Sequence, residues 1–280
     1  MVVVHPPTWP LRTAARLLGR GLNRLQRAPL AVDAHLRHAL ALSWAVPPAT
    51  VADLPDPGLA LDTHTGADGR EWAFLAATVL ELTDVRPHGV PPALGSGSTV
   101  LLTWSVFCTT TARSGPRTAR GRVLRGLRPL AGWSSGWASV LGGQLTSRAP
   151  HGRLDGRFSP VGQQLQLDVR SGDGAGDLAL TAHPGEERVP AGGVLPDART
   201  ARRFAPPPNR FSPDPDGVVV VTTRPDVPQP APVAVDLRRA AFLERGRFAG
   251  ADARLSAAFV LQDVDYGWRA GELHRTRGGD

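Results

Sequence analysis

The chain has 280 residues, 41% of them hydrophobic, and a net charge of +7, enough for one large β domain or two small ones around a sizeable core. All 32 basic residues are arginine, and the absence of lysine excludes Schiff-base catalysis by a lysine, lysine-anchored pyridoxal phosphate and a Walker A loop. Arginine is no substitute nucleophile, because its guanidinium stays protonated. The one cysteine, Cys108, excludes an internal disulfide and a multi-cysteine zinc site; a reducing cytoplasm is the expected location, and no cofactor is expected.

Residues 1–34 read as a basic extension. Leu11, Leu18, Leu22 and Leu25 fall on one side of a helix and Arg12, Arg16, Arg20 and Arg24 on another. Thr8 is a candidate cap and Pro10 fits the first turn, while Gly19, Gly21 and Pro29 limit the length. Such a helix either covers the open end of a barrel or makes weak contact with an anionic membrane surface through residues 8–27. Met1-Val-Val-Val runs at once into His5-Pro-Pro, so no signal peptide is expected. No run of eighteen apolar residues appears.

From residue 35 the pattern is that of strands. Leu40, Leu42, Trp44 and Val46 alternate with smaller residues, and Pro47-Pro48 end that run. Asp68-Gly69 between Leu59–Thr63 and Trp72–Leu82 predicts a hairpin. Pro87–Ser98 is a loop. Thr99–Thr111 predicts a central strand, with Val100, Leu102, Trp104, Val106 and Cys108 on one face and Leu101, Thr103, Ser105, Phe107 and Thr109 on the other. Cys108 there is a core thiol. Residues 112–131 admit two readings, a strand pair with a long hairpin or a basic helix near Arg120–Arg128. Beyond them, Leu165, Leu167 and Val169 mark a half-buried strand, and Leu178–Ala182 returns against it through Gly172–Gly176. Pro196–Phe204 predicts a short helix with Asp197 in its first turn; Val218–Thr223, Val233–Phe242 and Leu255–Val264 are later strands. Many short strands with turn-rich joins predict one closed or nearly closed β architecture.

Charge is uneven. No Asp or Glu lies between Val85 and Leu154, where Arg86, Arg113, Arg117, Arg120, Arg122, Arg125, Arg128, Arg148 and Arg153 fall. This predicts either a positive pocket for a carboxylate or phosphate, or a solvated basic surface. Nucleic acid is not expected as a partner, because interleaved aromatics and a recognisable binding module are missing. Gly132-Trp-Ser134-Ser-Gly136 fits the G-x-S-x-G pattern without its strand–turn–helix context. His35 and His38 lack a third ligand nearby, so no metal is expected.

Several segments also carry a resemblance. Trp44-Ala-Val-Pro47, Leu54-Pro-Asp-Pro-Gly-Leu-Ala-Leu-Asp62, Gly69-Arg-Glu-Trp72 and Val85-Arg-Pro-His-Gly89, with Asp263-Val-Asp-Tyr-Gly-Trp268 near the end, resemble the YqjF-type family, an uncharacterised group in the acetoacetate decarboxylase-like superfamily. The resemblance implies a mainly β fold, an antiparallel barrel over residues 35–272, with an N-terminal helix at 1–34 and a tail at 273–280. The superfamily places its reactive lysines just after a Gly-x-Glu…Pro segment. The similar stretch here runs from Gly142 through Gln144 and Arg148 to Pro150-His151, so Gln144 stands where the acid would be and His151 where the amine would be. The resemblance therefore implies a barrel-interior cavity for a small anionic organic molecule without amine chemistry. Its expected lining is Trp44, Arg86, His88, Trp104, Gln144, Arg148 and Arg153, with His151 as the candidate acid–base catalyst of a lyase or hydratase. Arg86 has an alternative role, pairing with Asp62 or Glu71. A competing reading is a non-catalytic structural or sensing protein that uses the basic helix, and a filled apolar interior would favour it. The sequence does not set the oligomeric state.

Overall fold

The computed structural model describes residues 26–95, 97–112, 122–136, 149–186 and 188–275; the expected N-terminal helix, Gln144 and Arg148 lie outside them. The strands among these residues are β1 (Val32–Val46), β2 (Ala60–Leu61), β3 (His64–Thr65), β4 (Glu71–Pro87), β5 (Thr99–Ala112), β6 (Arg122–Ser134), β7 (His151–Val161), β8 (Gln164–Ser171), β9 (Leu178–His183), β10 (Asn209–Asp214), β11 (Gly217–Thr222), β12 (Ala231–Pro232), β13 (Ala234–Ala240), β14 (Arg254–Trp268) and β15 (Glu272–Arg275). Two one-turn helices interrupt them, α1 (Ala198–Ala201) and α2 (Ala241–Glu244). Asp197 caps α1, its carboxylate accepting the Thr200 N–H at 2.7 Å.

The strands run β12-β14-β1-β4-β5-β6-β7-β8-β9-β13 in one sheet. The two ends meet along a single stretch of chain. Ala231–Pro232 pairs with β14 and Ala234–Ala240 with β9, while Val233 between them donates to the Ala258 carbonyl at 3.0 Å. This change of partner nearly closes the barrel and covers two edges that would otherwise be open. Among the described residues the interior of this barrel is filled, which corrects the expected barrel-interior cavity and is the outcome that favours the non-catalytic reading. Leu40, Leu42, Val79, Leu102, Leu167 and Leu180 pack there with Trp44, Trp104 and Trp133. Trp104 stacks on Trp44 at 4.9 Å and on Phe242 at 4.6 Å between ring centroids.

Three further expectations need correction. The barrel is mixed rather than antiparallel, because β7 pairs parallel to the end of β6 and β10 pairs parallel to its middle. Parallel neighbours need a crossover of about a dozen residues or more, and residues 135–150 (β6 to β7) and 135–208 (β6 to β10) supply that length. Of the two readings of residues 112–131, the basic helix is the one to discard and the strand pair holds: β6 pairs with β5 from Ala112↔Arg122 to Leu101↔Ser134. At Asp68-Gly69 the tight hairpin joins His64–Thr65 to Glu71–Trp72, with Gly69 at φ +74, whereas Ala60–Leu61 pairs with Thr109 and Cys108 of β5.

Because β6 bonds β7 along one part and β10 along another, the sheet forks. The β10–β11–β15 branch is antiparallel within itself, and a bridge between Thr223 and Trp268 ties its β11 end to β14. Gly126 makes the fork feasible: an added Cβ would lie 2.5 Å from the Phe211 ring and 2.9 Å from the Asn209 carbonyl oxygen. This branch stands over the face of β4 and β5 that points away from the packed barrel. A hollow forms between them.

Candidate functional site

Strand alternation decides which side chains meet the hollow. On β5 the even residues Val100, Leu102 and Trp104 fill the barrel, and the odd residues Leu101, Thr103 and Ser105 line a chamber of about 420 Å³. Thr78, Leu80 and Leu82 of β4 join them, with Leu127, Tyr266 and Trp268 on the sides and Asn209, Arg210 and Ser212 from β10. A larger chamber of about 670 Å³ adjoins it and shares Thr78, Leu80, Pro206, Pro207, Pro208, Asn209, Thr223, Tyr266 and Arg269. Among the described residues no Asp or Glu lines either chamber.

His151, the first residue of β7, lines the smaller chamber. It sits across from Gly132 in the parallel pairing, and its ring occupies the space over that glycine, where a Cβ would come within 2.7 Å of Nε2. Nδ1 lies 3.1 Å from the Ala149 carbonyl oxygen. A carbonyl only accepts, so this bond assigns the proton to Nδ1 and the lone pair to Nε2. Burial is the largest influence on the imidazole and lowers its pKa below 6.5; the Ala149 carbonyl pulls the other way, and the Arg210 charge adds to the lowering. The ring is therefore held as the neutral base.

Arg210 and Tyr266 line the same chamber as His151. Burial works against the charged form of Arg210, with Tyr266 opposing that effect, yet a guanidinium keeps its proton in proteins. Burial likewise raises the Tyr266 phenol, against opposing pulls from Thr223, Trp268 and Arg210. Tyr266 stays a hydroxyl donor. Sequence reasoning missed both residues. Arg210 sits beside Pro206–Pro208, a stretch read as loop. Tyr266 had an available signal as the only tyrosine in the chain.

The other expected lining residues that are described lie elsewhere; Gln144 and Arg148 fall outside the described residues. Trp44 and Trp104 face the packed barrel, on the strand faces opposite the chambers. Arg86 staples its own turn, donating to the Val90 carbonyl from Nε and to the Asp84 carbonyl from Nη1, each at 2.9 Å. Its alternative partners are engaged differently. Asp62, almost fully buried, takes both Arg125 and Arg203, and Glu71 accepts from the Thr63 hydroxyl at 2.7 Å. His88 is exposed and contacts Asp33 at 2.9 Å. Arg153 is exposed and lines neither chamber. His35 and His38 contact Asp263 at 3.0 Å and Glu81 at 2.7 Å respectively; among the described residues no group of three His, Cys, Asp or Glu is placed to hold a metal ion. Ser134 lies within a strand, its hydroxyl donating to the Gly136 carbonyl at 3.3 Å, so the G-x-S-x-G match is not a nucleophile elbow. No helix among the described residues is long and apolar enough to cross a membrane.

No family model matches the chain, and no curated protein does. Solved structures match over most of its length. Acetoacetate decarboxylase from Legionella pneumophila is 11% identical with a TM-score of 0.52, covering 87% of this chain and 86% of that one. An acetoacetate decarboxylase-like enzyme from Sphingomonas wittichii is 15% identical with a TM-score of 0.53, covering 89% and 93%. A further acetoacetate decarboxylase structure is 12% identical with a TM-score of 0.54, covering 88% and 89%. The forked, nearly closed β-barrel of this chain is the acetoacetate decarboxylase-like fold.

Proposed function

We propose that the protein binds a small anionic organic molecule in the smaller chamber and does so without Schiff-base chemistry. One observation carries the reading: a permanently charged guanidinium, Arg210, lines a largely apolar chamber of about 420 Å³ that no carboxylate side chain lines among the described residues. A bound carboxylate or phosphate offsets the desolvation of that charge and accepts its hydrogen bonds in a fork. The chamber size suits a small ligand. The missing amine follows from composition, since the chain has no lysine to condense with a carbonyl. The matching segments at Trp44–Pro47, Leu54–Asp62, Gly69–Trp72 and Val85–Gly89 support kinship with the YqjF-type group, and the lone buried Cys108 supports a reducing, cytoplasmic setting.

The reading extends to acid–base work. His151 presents an unprotonated Nε2 while Arg210 and the Tyr266 hydroxyl supply charge and a proton donor for an enolate or carboxylate. That set suits a lyase or hydratase.

The test is a thermal-shift screen of small carboxylates and phosphates against the full chain and its Arg210→Gln variant. A ligand at a hundred times its Kd stabilises the folded state by about 2.7 kcal/mol, a readily measured shift. Stabilisation of the native chain, lost in Arg210→Gln, is the expected result. If no anion stabilises the chain, or the variant responds equally, the reading fails.

A further inference from the structure

The larger chamber is unassigned, and its chemistry differs from that of the smaller one. We propose that it seats a phosphate group, so that the physiological ligand is an organic phosphate whose smaller end reaches Arg210 and His151. This rests on the anion-binding reading above and narrows its ligand class.

Four observations support it. First, Arg125, Arg202, Arg203, Arg224 and Arg269 line the larger chamber, and no acid lines it among the described residues. Second, positive charge is in excess there. Arg224 is matched by Asp33 and Asp226, but Arg125 and Arg203 share the single carboxylate of Asp62. The Arg269 side chain, which feels Asp226 only through space, makes no hydrogen bond among the described residues and lines both chambers. A phosphate monoester carries about −1.5 to −2 charges at neutral pH and three acceptor oxygens, whereas a carboxylate brings one charge and two oxygens. The multi-arginine rim fits the former. Third, the Thr78 hydroxyl, on the floor common to both chambers, is buried without a hydrogen-bond partner among the described residues. An unsatisfied buried hydroxyl is costly, and a polar group in the middle of a bridging ligand would satisfy it. Fourth, the wall is stiff. Pro206, Pro207, Pro208, Pro225, Pro228 and Pro230 all line the larger chamber, and their fixed φ angles reduce the ordering cost of binding.

Isothermal titration of the full chain at fixed ionic strength tests this with 6-phosphonohexanoate, hexanoate and adipate, the phosphonate standing in for a phosphate. The two-ended phosphonate is expected to bind at least ten-fold more tightly than hexanoate, and more tightly than adipate. The double variant Arg202→Gln/Arg203→Gln, at side chains that line only the larger chamber, should remove that gain and leave hexanoate unchanged. Both side chains are exposed, and Arg202→Gln alone should remove part of the gain if the double variant loses its thermal transition. Equal affinity for the phosphonate and hexanoate overturns the phosphate assignment while leaving the anion reading intact, as does a gain that survives in the variants. Equal gains from adipate and the phosphonate also overturn it. Failure of hexanoate itself to bind overturns both.

Discussion

Replacing Gly126 by alanine tests whether the fork in the sheet is what holds the chambers in shape. A methyl group there would meet Cε2 and Cζ of Phe211 at 2.5 Å and the Asn209 carbonyl oxygen at 2.9 Å. Carbon atoms in contact prefer about 3.5–4.0 Å, so roughly 1 Å must be found. Phe211 has nowhere to retreat, being fully buried among Val106, Cys108, Val218 and Val220. Asn209 is fixed as well: its backbone is in register with Gly126 itself, and its side-chain amide donates to the Arg125 carbonyl at 2.9 Å. Overpacking of this kind costs about 1–3 kcal/mol. In a large domain each kcal/mol moves the melting temperature by about 2–4 °C. The matched control is Gly172→Ala, whose new methyl finds its nearest neighbour, the Arg153 carbonyl, at 4.0 Å and whose φ is not left-handed. Restricting the unfolded chain there should add about 0.4–1 kcal/mol. Urea unfolding of both variants, with the slope m held in view, gives the comparison. Because Arg210 follows Asn209 on the displaced strand, Gly126→Ala should also weaken anion binding. The reasoning is refuted if Gly126→Ala is as stable as the native chain, or no worse than Gly172→Ala, at unchanged m.

Two further outcomes follow from buried titratable groups. Cys108 is fully buried and its thiol is pushed up to about 12, chiefly by burial; the thiolate is the reactive form, so native protein at pH 8 should resist iodoacetamide and react fully in urea, and labelling of the native chain at the free-thiol rate would contradict this. His151 has a folded-state pKa below its ordinary 6.5, so the unfolded chain binds the proton first as pH falls; the stability cost is absent above about pH 6.5 and grows as the pH drops towards the folded value. His64 shifts the same way, through burial and then Arg203, so the readout is a difference: urea midpoints between pH 7 and 5 should fall more steeply for the native chain than for His151→Gln, and parallel curves would count against a buried neutral imidazole.

Many of the individual strands could be read in the sequence because each carries its own record of alternation. The alternation along Thr99–Thr111 gives both the strand and its two faces correctly, and both faces are bulky because both are covered. Which face meets the hollow is not written in β5. It depends on where the β10–β11 branch stands, a hundred residues or so along the chain, and on the stiff Pro206–Pro208 segment. Trp44 and Trp104 look like cavity walls by size, yet they pack the barrel because they share a face with Leu42 and Leu102. Arg86 has the residue type of an anion ligand but is consumed by two carbonyls of its own turn. His151 is the expected residue that the structure brings to the chamber. Its partners escape sequence reading because a loop of prolines carries no periodicity from which to infer that Arg210 begins a strand.

The lysine-free composition shapes the chemistry of the chamber beyond removing one nucleophile. In a site built on lysine, the cation can lose its proton and become the reactive group. Here the cations are arginines, which stay charged and serve only as fixed counterions. Tyr266 is raised away from neutrality by burial, and among the described residues no carboxylate lines the walls. That leaves His151 as the lining group whose proton can move near pH 7. The Arg210 charge helps to keep the imidazole neutral, and an anion seated on Arg210 would cancel that influence and raise the imidazole's affinity for a proton. Ligand binding and proton uptake are thereby coupled through two adjacent groups, one permanently charged and one switchable, and the chamber becomes most basic at His151 when the anion is in place.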